Sequence, residues 1–214
     1  MVSMVENAVA ADAPALGAMH INAFETDQPE PLFVEPYAVA GWGGFIRDAA
    51  DAAAAAAAAG DAIRAGPQTR VGVIRDESGT AKAACLLRIA PDKNAVAGLY
   101  ADWEDLWGTP LPGMSRDRMD AFFGGMKAQH KTVMGDTPHI YLEIVMAHSS
   151  ARGRGYGMAL LQFANTVADG MGLPLYLDSN KDVTALYERL GYVKQPDEVR
   201  TSNCLIPMLR PVKM

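Results

Sequence analysis

The chain has 214 residues, half of them apolar and 21% charged, which suits a globular domain able to bury a sizeable core. A net charge of −6 with no basic patch argues against nucleic-acid binding. Two cysteines, Cys85 and Cys204, give neither a disulfide framework nor a metal-binding pattern; with no signal-peptide pattern at the N-terminus and no apolar run of membrane-spanning length, a metal-free protein in the reducing cytoplasm, with no membrane association, is expected.

The first elements read as a strand over residues 5–11, an N-cap at Asp12, and a helix carrying Leu16, Met19, Ile21 and Phe24. Pro14 is tolerated in that helix's first turn. Residues 25–36 contain three prolines and read as a loop. Residues 37–65 read as largely helical, with an alanine run at 52–59 that has high helix propensity and little to pack with. Residues 68–75 and 80–90 read as two strands joined by the turn Asp76-Glu77-Ser78-Gly79. Residues 91–114 form a long connection with Tyr100, Trp103 and Trp107, which either cover an edge of the core or wall a pocket. Residues 115–133 read as a helix with Met119, Phe122, Phe123 and Met126 at helical spacing.

The chemistry concentrates in the next stretch. An apolar strand, YLEIVMAH at 141–148, runs through Arg152-Gly153-Arg154-Gly155-Tyr156-Gly157 into a helix. That helix has one apolar face, Leu160, Leu161, Ala164, Val167, Ala168 and Met171, and Gly172 and Pro174 stop it. A glycine-rich turn at a helix start suits an anion, because the first N–H groups point out of the helix end and the dipole adds positive charge. Arg152 and Arg154 add forked donors, so the expected ligand carries a pyrophosphate. A P-loop fails, since no Lys-Ser or Lys-Thr follows the glycines. A dinucleotide fingerprint, for which Asp178 would be the distant acid, has Met158 in place of its third glycine. Beyond the helix lie a short strand at 175–178, a helix at 182–190 with Val183, Leu186, Tyr187 and Leu190 on one face, and a final hairpin of strands 192–194 and 204–210.

Two blocks carry a resemblance to a known family. Arg152-x-x-Gly155-x-Gly157 after the strand resembles the acetyl-CoA motif of the GNAT superfamily of N-acetyltransferases. Asn180, followed by Leu186-Tyr187-Glu188-x-x-Gly191-Tyr192, resembles that family's closing pattern. The resemblance spans 141–193 and implies a single α/β domain over 1–214, with a mixed, largely antiparallel sheet of about seven strands flanked by helices. It implies acetyl-CoA as cofactor, its phosphates held by Arg152, Gly153, Arg154, Gly155, Tyr156, Gly157 and Met158, and contacted by Asn180. It also implies that the strand at Val145, Met146 and Ala147 splays from its neighbour and offers backbone N–H groups to the thioester carbonyl and the pantetheine arm. Tyr187 matches the family's general acid.

The base is less defined. Tyr141, Glu143 and Val145 share one side of a regular strand, and an acid within an apolar strand is unusual unless paired or functional. Some family members place a Glu at the position that is Tyr141 here, so Glu143, Tyr141 and water all stay open. His139 and His148 flank the strand and read as solvated or structural. Asn180 has a second reading as a helix N-cap. The implied reaction is N-acetylation of a primary amine; a non-catalytic acyl-CoA-binding module and a protein N-terminal or lysine acetyltransferase are the alternatives, and a homodimer is open. Residues 1–46 hold Glu6, Asp12, Glu25, Asp27, Glu30 and Glu35 and no Lys or Arg, so the whole charge excess lies there. By the resemblance, the loop at 25–36 borders the acceptor opening, which points to a small cationic amine.

Overall fold

Seven strands pair into one sheet in the order β1-β2-β3-β4-β5-β7-β6, in a computed structural model that describes residues 4–25, 31–59, 68–201 and 205–213. The strands are β1 (Glu6–Asn7), β2 (Gln68–Arg75), β3 (Ala81–Ala90), β4 (His139–Ala147), β5 (Leu175–Asn180), β6 (Val193–Lys194) and β7 (Leu205–Arg210). The helices are α1 (Ala13–Phe24), α2 (Glu35–Ala59), α3 (Lys93–Leu99), α4 (Trp103–Trp107), α5 (Arg116–Met134), α6 (Tyr156–Met171) and α7 (Thr184–Glu188). Every pairing is antiparallel except β4 with β5, which the α6 crossover makes parallel. The mixed, largely antiparallel sheet with flanking helices is the one expected.

Helices cover both faces. On one, α1, α2 and α4 bury Leu16, Met19, Trp42, Phe45 and Trp107 against Val71, Val73, Leu86, Ile144 and Met146. On the other, α6 buries Leu160, Leu161, Ala164 and Ala168 against Cys85, Leu87, Ile140, Leu142 and Leu177. All the α6 residues expected on the apolar face are buried except Met171, which is 37% exposed at the helix end. Gly17 permits the close crossing of α1 and α2, since a Cβ there would lie 2.3 Å from Val39 Cγ2.

Several elements differ from expectation. The first strand is only two residues long, because Ala10–Asp12 turns into a 3-10 helix. Asp12 does not cap α1; its carboxylate accepts the Val9 N–H at 2.8 Å and pairs with Arg75. Burial pushes that carboxyl up, but the Arg75 guanidinium and the Val9 N–H outweigh it and hold the pKa below its usual value. The connection at 91–114 contains α3 and α4, and Asp92 caps α3 by accepting from Asn94 and Ala95. The helix expected over 37–65 begins at Glu35 and is described to Ala59; residues 60–67 lie outside the described residues, as does Cys204. Ala52–Ala55 are exposed or half-buried, as their lack of packing partners implied.

One irregularity changes what faces what. In β4, Ile144 pairs with Leu86 and Leu142 with Leu87, so Glu143 is an extra residue with no partner on β3. The bulge reverses the alternation beyond it. Tyr141 and Glu143 face the α5 side, while Val145 and Ala147 pack on the α6 side. The expectation that Val145 shares a side with Tyr141 and Glu143 is therefore wrong; it assumed an unbroken period of two.

Three histidines are buried: His20, His130 and His139. His20 packs among the rings of Phe24, Phe33 and Trp107, and burial lowers its pKa from 6.5 to about 4. The unfolded chain therefore takes up that proton near pH 6.5, the folded chain only near 4. Stability is unaffected above pH 6.5 and falls as the pH drops toward 4, by about 3 kcal/mol at most. His20→Leu should flatten this acid branch in urea titrations run from pH 7.5 to pH 4.5; an unchanged slope would mean that His20 is already charged in the fold.

Candidate active site

The turn into α6 is held by glycine conformations. Gly153 has φ 78° and Gly155 has φ 80° and ψ 5°, both left-handed. Asn22, near the end of α1, accepts the Ser149 N–H at 3.1 Å and pins the turn's start. The first α6 N–H with an acceptor in the helix is that of Ala159, bonded to the Gly155 carbonyl at 3.0 Å. No side chain caps the helix, so among the described residues the N–H groups of Tyr156, Gly157 and Met158 have no partner. A Cβ on Gly153, Gly155 or Gly157 would meet nothing within 4 Å, so the space above the turn is open. Arg152 and Arg154 flank it, exposed and in no ion pair among the described residues. Sequence reasoning expected this arrangement.

The strand before the turn opens on one side. β4 and β5 pair only at Ile140–Leu175 and Tyr141–Tyr176. Beyond those positions β4 keeps its partner β3 as far as Ala83–Ala147, and β5 keeps β7 as far as Asn180–Leu205. The facing edges of β4 and β5 are thus unpaired past Tyr141, at Val145, Met146 and Ala147 among others. Val145 and Ala147 are half-buried, and the Met146 side chain is core.

Two acids sit across this opening. Glu143, on β4, is largely buried, and burial raises its pKa while Arg88, 3.8 Å away, opposes the rise. Asp178, on β5, accepts from Tyr176 Oη at 2.7 Å, Gln129 Nε2 at 2.5 Å and Tyr141 Oη at 3.2 Å. Burial lifts its carboxyl to about 6, and the three donors, Tyr176 foremost, hold it from rising further. Sequence reasoning met Asp178 only as a possible fingerprint acid. The signal was present: Tyr-Leu-Glu at 141–143 and Tyr-Leu-Asp at 176–178 are the same triplet on paired parallel strands, with both acids two residues beyond the Tyr141–Tyr176 pair.

Behind these acids lies a histidine pair. His139 Nδ1 is 2.6 Å from the Thr137 carbonyl, which can only accept, so Nδ1 carries the proton. His139 Nε2 therefore accepts from His130 Nε2–H across 2.7 Å. Burial lowers both pKa values, so both rings are neutral. The His130 ring stacks on Tyr176 at 4.3 Å. His148 accepts from the Ser150 N–H at 3.2 Å and shapes its own turn. Both flanking histidines thus have structural partners.

Tyr187 packs against the α6-side core, and Asn180 ends β5. Tyr187 packs edge-on to Tyr192 at 5.6 Å, and burial lifts its phenol to about 12. Among the described residues nothing hydrogen-bonds to its hydroxyl, whereas the Tyr192 hydroxyl donates to Asn165 Oδ1 at 2.9 Å. Asn180 occupies the N-cap position of a 3-10 turn at 181–183, but its side chain makes no capping bond and is exposed.

On the Tyr141 and Glu143 side a cavity of about 320 Å³ opens between β3, β4, α4 and α5. The aromatic residues of the 91–114 connection divide between the two readings. Trp103 lines the cavity, its indole donating to Asp120 at 2.7 Å. Trp107 is core, packed on Phe33 and Phe45, and the Tyr100 hydroxyl donates to the Gly135 carbonyl at 2.7 Å. Of the acids thought to border the opening, Glu25 is buried and accepts the Leu32 N–H at 2.8 Å, so it shapes its own loop. Asp27 and Glu30 lie outside the described residues. Among the described residues, no His/Cys/Asp/Glu cluster could hold a metal ion, and no helix is long and apolar enough to cross a membrane.

A sequence model of the Acetyltransferase (GNAT) family matches residues 75–192, more than half of the chain. The chain belongs to this family: it is an acyltransferase, and its acetyl donor is acetyl-CoA. Among solved structures it resembles one described as histone acetyltransferase HPA2 and related acetyltransferase from Corynebacterium glutamicum, with TM-score 0.57 and 23% identity over 100% of this chain and 98% of that one. It also resembles a GNAT superfamily phosphinothricin acetyltransferase from Sinorhizobium meliloti in complex with AcCoA, with TM-score 0.50 and 15% identity over 99% and 89%. A third is Naa20 from Chaetomium thermophilum in complex with a bisubstrate analogue, with TM-score 0.50 and 13% identity over 98% and 86%. At these identities the likeness is one of fold. No curated protein sequence matches.

The Asp178 carboxyl should titrate near pH 6 in carbon-detected NMR, and Tyr176→Phe should raise that value by removing the strongest hydrogen bond to its charged form. A titration near 4 in the unmodified protein would show that water reaches the acid.

Proposed function

We propose that the protein transfers the acetyl group of acetyl-CoA to the primary amine of a small molecule, which enters the cavity as an ammonium cation. The observation that carries this reading is that two openings meet on one strand. The unpaired edge of β4 leads into the uncapped glycine turn, and the Tyr141–Glu143 side of the same strand floors the cavity of about 320 Å³. That volume is at the low end for small-molecule sites, which supports a compact acceptor over a protein tail. Residues 1–214 then act as one acetyltransferase domain, in a cytoplasmic setting consistent with the free, buried Cys85 thiol.

The residues around the turn fit the diphosphate of the donor. The free N–H groups of Tyr156, Gly157 and Met158, the backbone of Gly153 and Gly155, and the Arg152 and Arg154 guanidinium groups together offer donors and positive charge to an open space. Asn180 offers an unengaged amide from the end of β5. The unpaired edge at Val145, Met146 and Ala147 supplies backbone groups for the pantetheine arm and the thioester carbonyl, the latter an oxyanion-type contact. The donor supplies an activated acetyl thioester.

Glu143 is the base we assign to the ammonium proton. Its burial raises the pKa, which makes the carboxylate a better proton acceptor, and it faces the cavity. Tyr187 is the acid for the leaving sulfur. With a pKa of about 12 its phenol is protonated at any physiological pH, and its hydroxyl is not engaged elsewhere among the described residues. Glu143 and Tyr187 belong to opposite sides of the sheet, which supports separate entry routes for the amine and the thioester.

Two substitutions test these roles. Gly155→Asp forces a side chain into a left-handed conformation and sets a negative charge at the turn, so coenzyme A binding should fall by at least about 100-fold in calorimetry. Unchanged affinity would remove the turn from the site. Tyr187→Phe should keep coenzyme A affinity and lower kcat by roughly 10- to 1,000-fold in a free-thiol assay; full turnover in that variant would leave the sulfur's proton to water.

A further inference from the structure

The cavity wall contains a charge that the proposed chemistry leaves unused. Arg88, on β3 opposite Tyr141, is 7% exposed and lines the cavity. A guanidinium carries five N–H donors. Among the described residues Arg88 makes no hydrogen bond, and its Nε is buried without a partner. Its nearest counter-charge is Glu143, with Nη1 to Oε2 at 3.8 Å, beyond hydrogen-bonding range. Glu143 likewise accepts no hydrogen bond from a described residue, and its side chain is 8% exposed. Buried charges are normally hydrogen-bonded, since desolvation otherwise outweighs their attraction.

The other cations of the wall are committed. Arg116 meets Glu104 at 2.6 Å and Lys127 meets Asp102 at 2.5 Å. Arg88 and Glu143 therefore form a loose pair of opposite charges on the cavity floor with open valences on both sides. Around them stand apolar groups, Leu99, Leu106, Phe123 and Met126.

Resting on the acetyltransferase reading above, we propose that the acceptor is a small amino-carboxylate with an apolar side chain, its carboxylate held by the Arg88 fork and its ammonium by Glu143. A plain amine would satisfy Glu143 and leave the guanidinium bare. A zwitterion satisfies both and leaves the net charge of the floor unchanged. Arg is suited to the task because its two parallel donors match the two carboxylate oxygens. In the reaction the amine nitrogen bonds to the acetyl carbon as the carbon–sulfur bond breaks. The ammonium gives up two protons in all; one goes to the leaving thiolate and one, through Glu143, to solvent. The products are an N-acetyl amino acid and free coenzyme A.

The test is a matched panel: leucine, methionine and phenylalanine, each against its amide and its decarboxylated amine. Binding to the apoprotein is measured by calorimetry, and acetylation by thiol release with mass identification of the product. The free acids should be preferred over their amides by about tenfold to a hundredfold in kcat/KM, chiefly through KM, because a site built to bond a group rejects the analogue lacking it. Arg88→Met should reduce that preference below about threefold, and Arg88→Lys, which keeps the charge but not the fork, should fall between. The acid-to-amide ratio is internal to each variant, so a general loss of stability does not imitate the result; coenzyme A binding confirms that each variant folds. Equal use of acids, amides and amines by the unmodified protein, or a preference that survives Arg88→Met, overturns the assignment. Failure of every free acid to bind the apoprotein at millimolar concentration overturns it too, independently of the donor. Failure of coenzyme A to bind would instead sink the acetyltransferase site, whatever the amino acids do.

Discussion

The site depends on a parallel pairing that stops after two positions. β4 and β5 are joined at Ile140–Leu175 and Tyr141–Tyr176 and held apart beyond them. Each keeps its outer antiparallel partner, so the sheet stays continuous while an inner edge of backbone donors and acceptors is left without a strand. Backbone groups in that state need a partner, and an extended ligand lying along the edge provides one. The polar cluster at the fork fills the same role for side chains. Tyr141, Tyr176, Gln129 and Asp178 satisfy one another where the strands separate, and the neutral His130–His139 pair closes the cluster from behind. A fork lined with apolar residues would gain nothing from opening.

The long helix after the fork does two jobs with one sequence. Its apolar face, Leu160 through Ala168, anchors it on the sheet, and this fixes where its N-terminus points. The N-terminus is then left uncapped by Gly155, which has no side chain to turn back onto the helix. A serine or aspartate there would stabilise the helix and occupy its first N–H groups. The glycine trades local stability for an open helix start, a common pattern where function and folding compete.

Much of this was legible in the sequence. The seven strands, the hairpin of β2 and β3, the α6 apolar stripe and the glycine turn each announce themselves through short-range rules of period and conformation. What escaped was set by long-range register. Asp178 gains meaning only when Tyr176 is known to lie beside Tyr141, and Arg88 only when β3 is known to run opposite β4. The side assigned to Val145 was wrong because a bulge leaves no mark in composition: Glu143 looks like any other strand residue. Asp12 was read as a helix cap because the residue type and position suit one, but Arg75, far along the chain, bids for the same carboxylate with a full charge. The negative charge of the first 46 residues can be counted from the sequence, whereas the inward turn of Glu25 cannot.

The bulge makes β4 a strand with two frames. Before Glu143, even-numbered residues point toward α6; after it, odd-numbered residues do. Drawing Glu143 into regular pairing would therefore do more than move a carboxylate. It would restore one continuous frame and slip the chain from Ile144 to Ala147 by one residue along β3, exchanging Ile144 and Met146 with Val145 and Ala147 between the two cores. The larger pair would press on α6, and the smaller pair would leave voids beneath α1 and α2. A single bulge thus sorts large and small side chains between the two layers while it turns an acid toward the cavity beside α5, which couples the shape of that cavity to the volume of both cores.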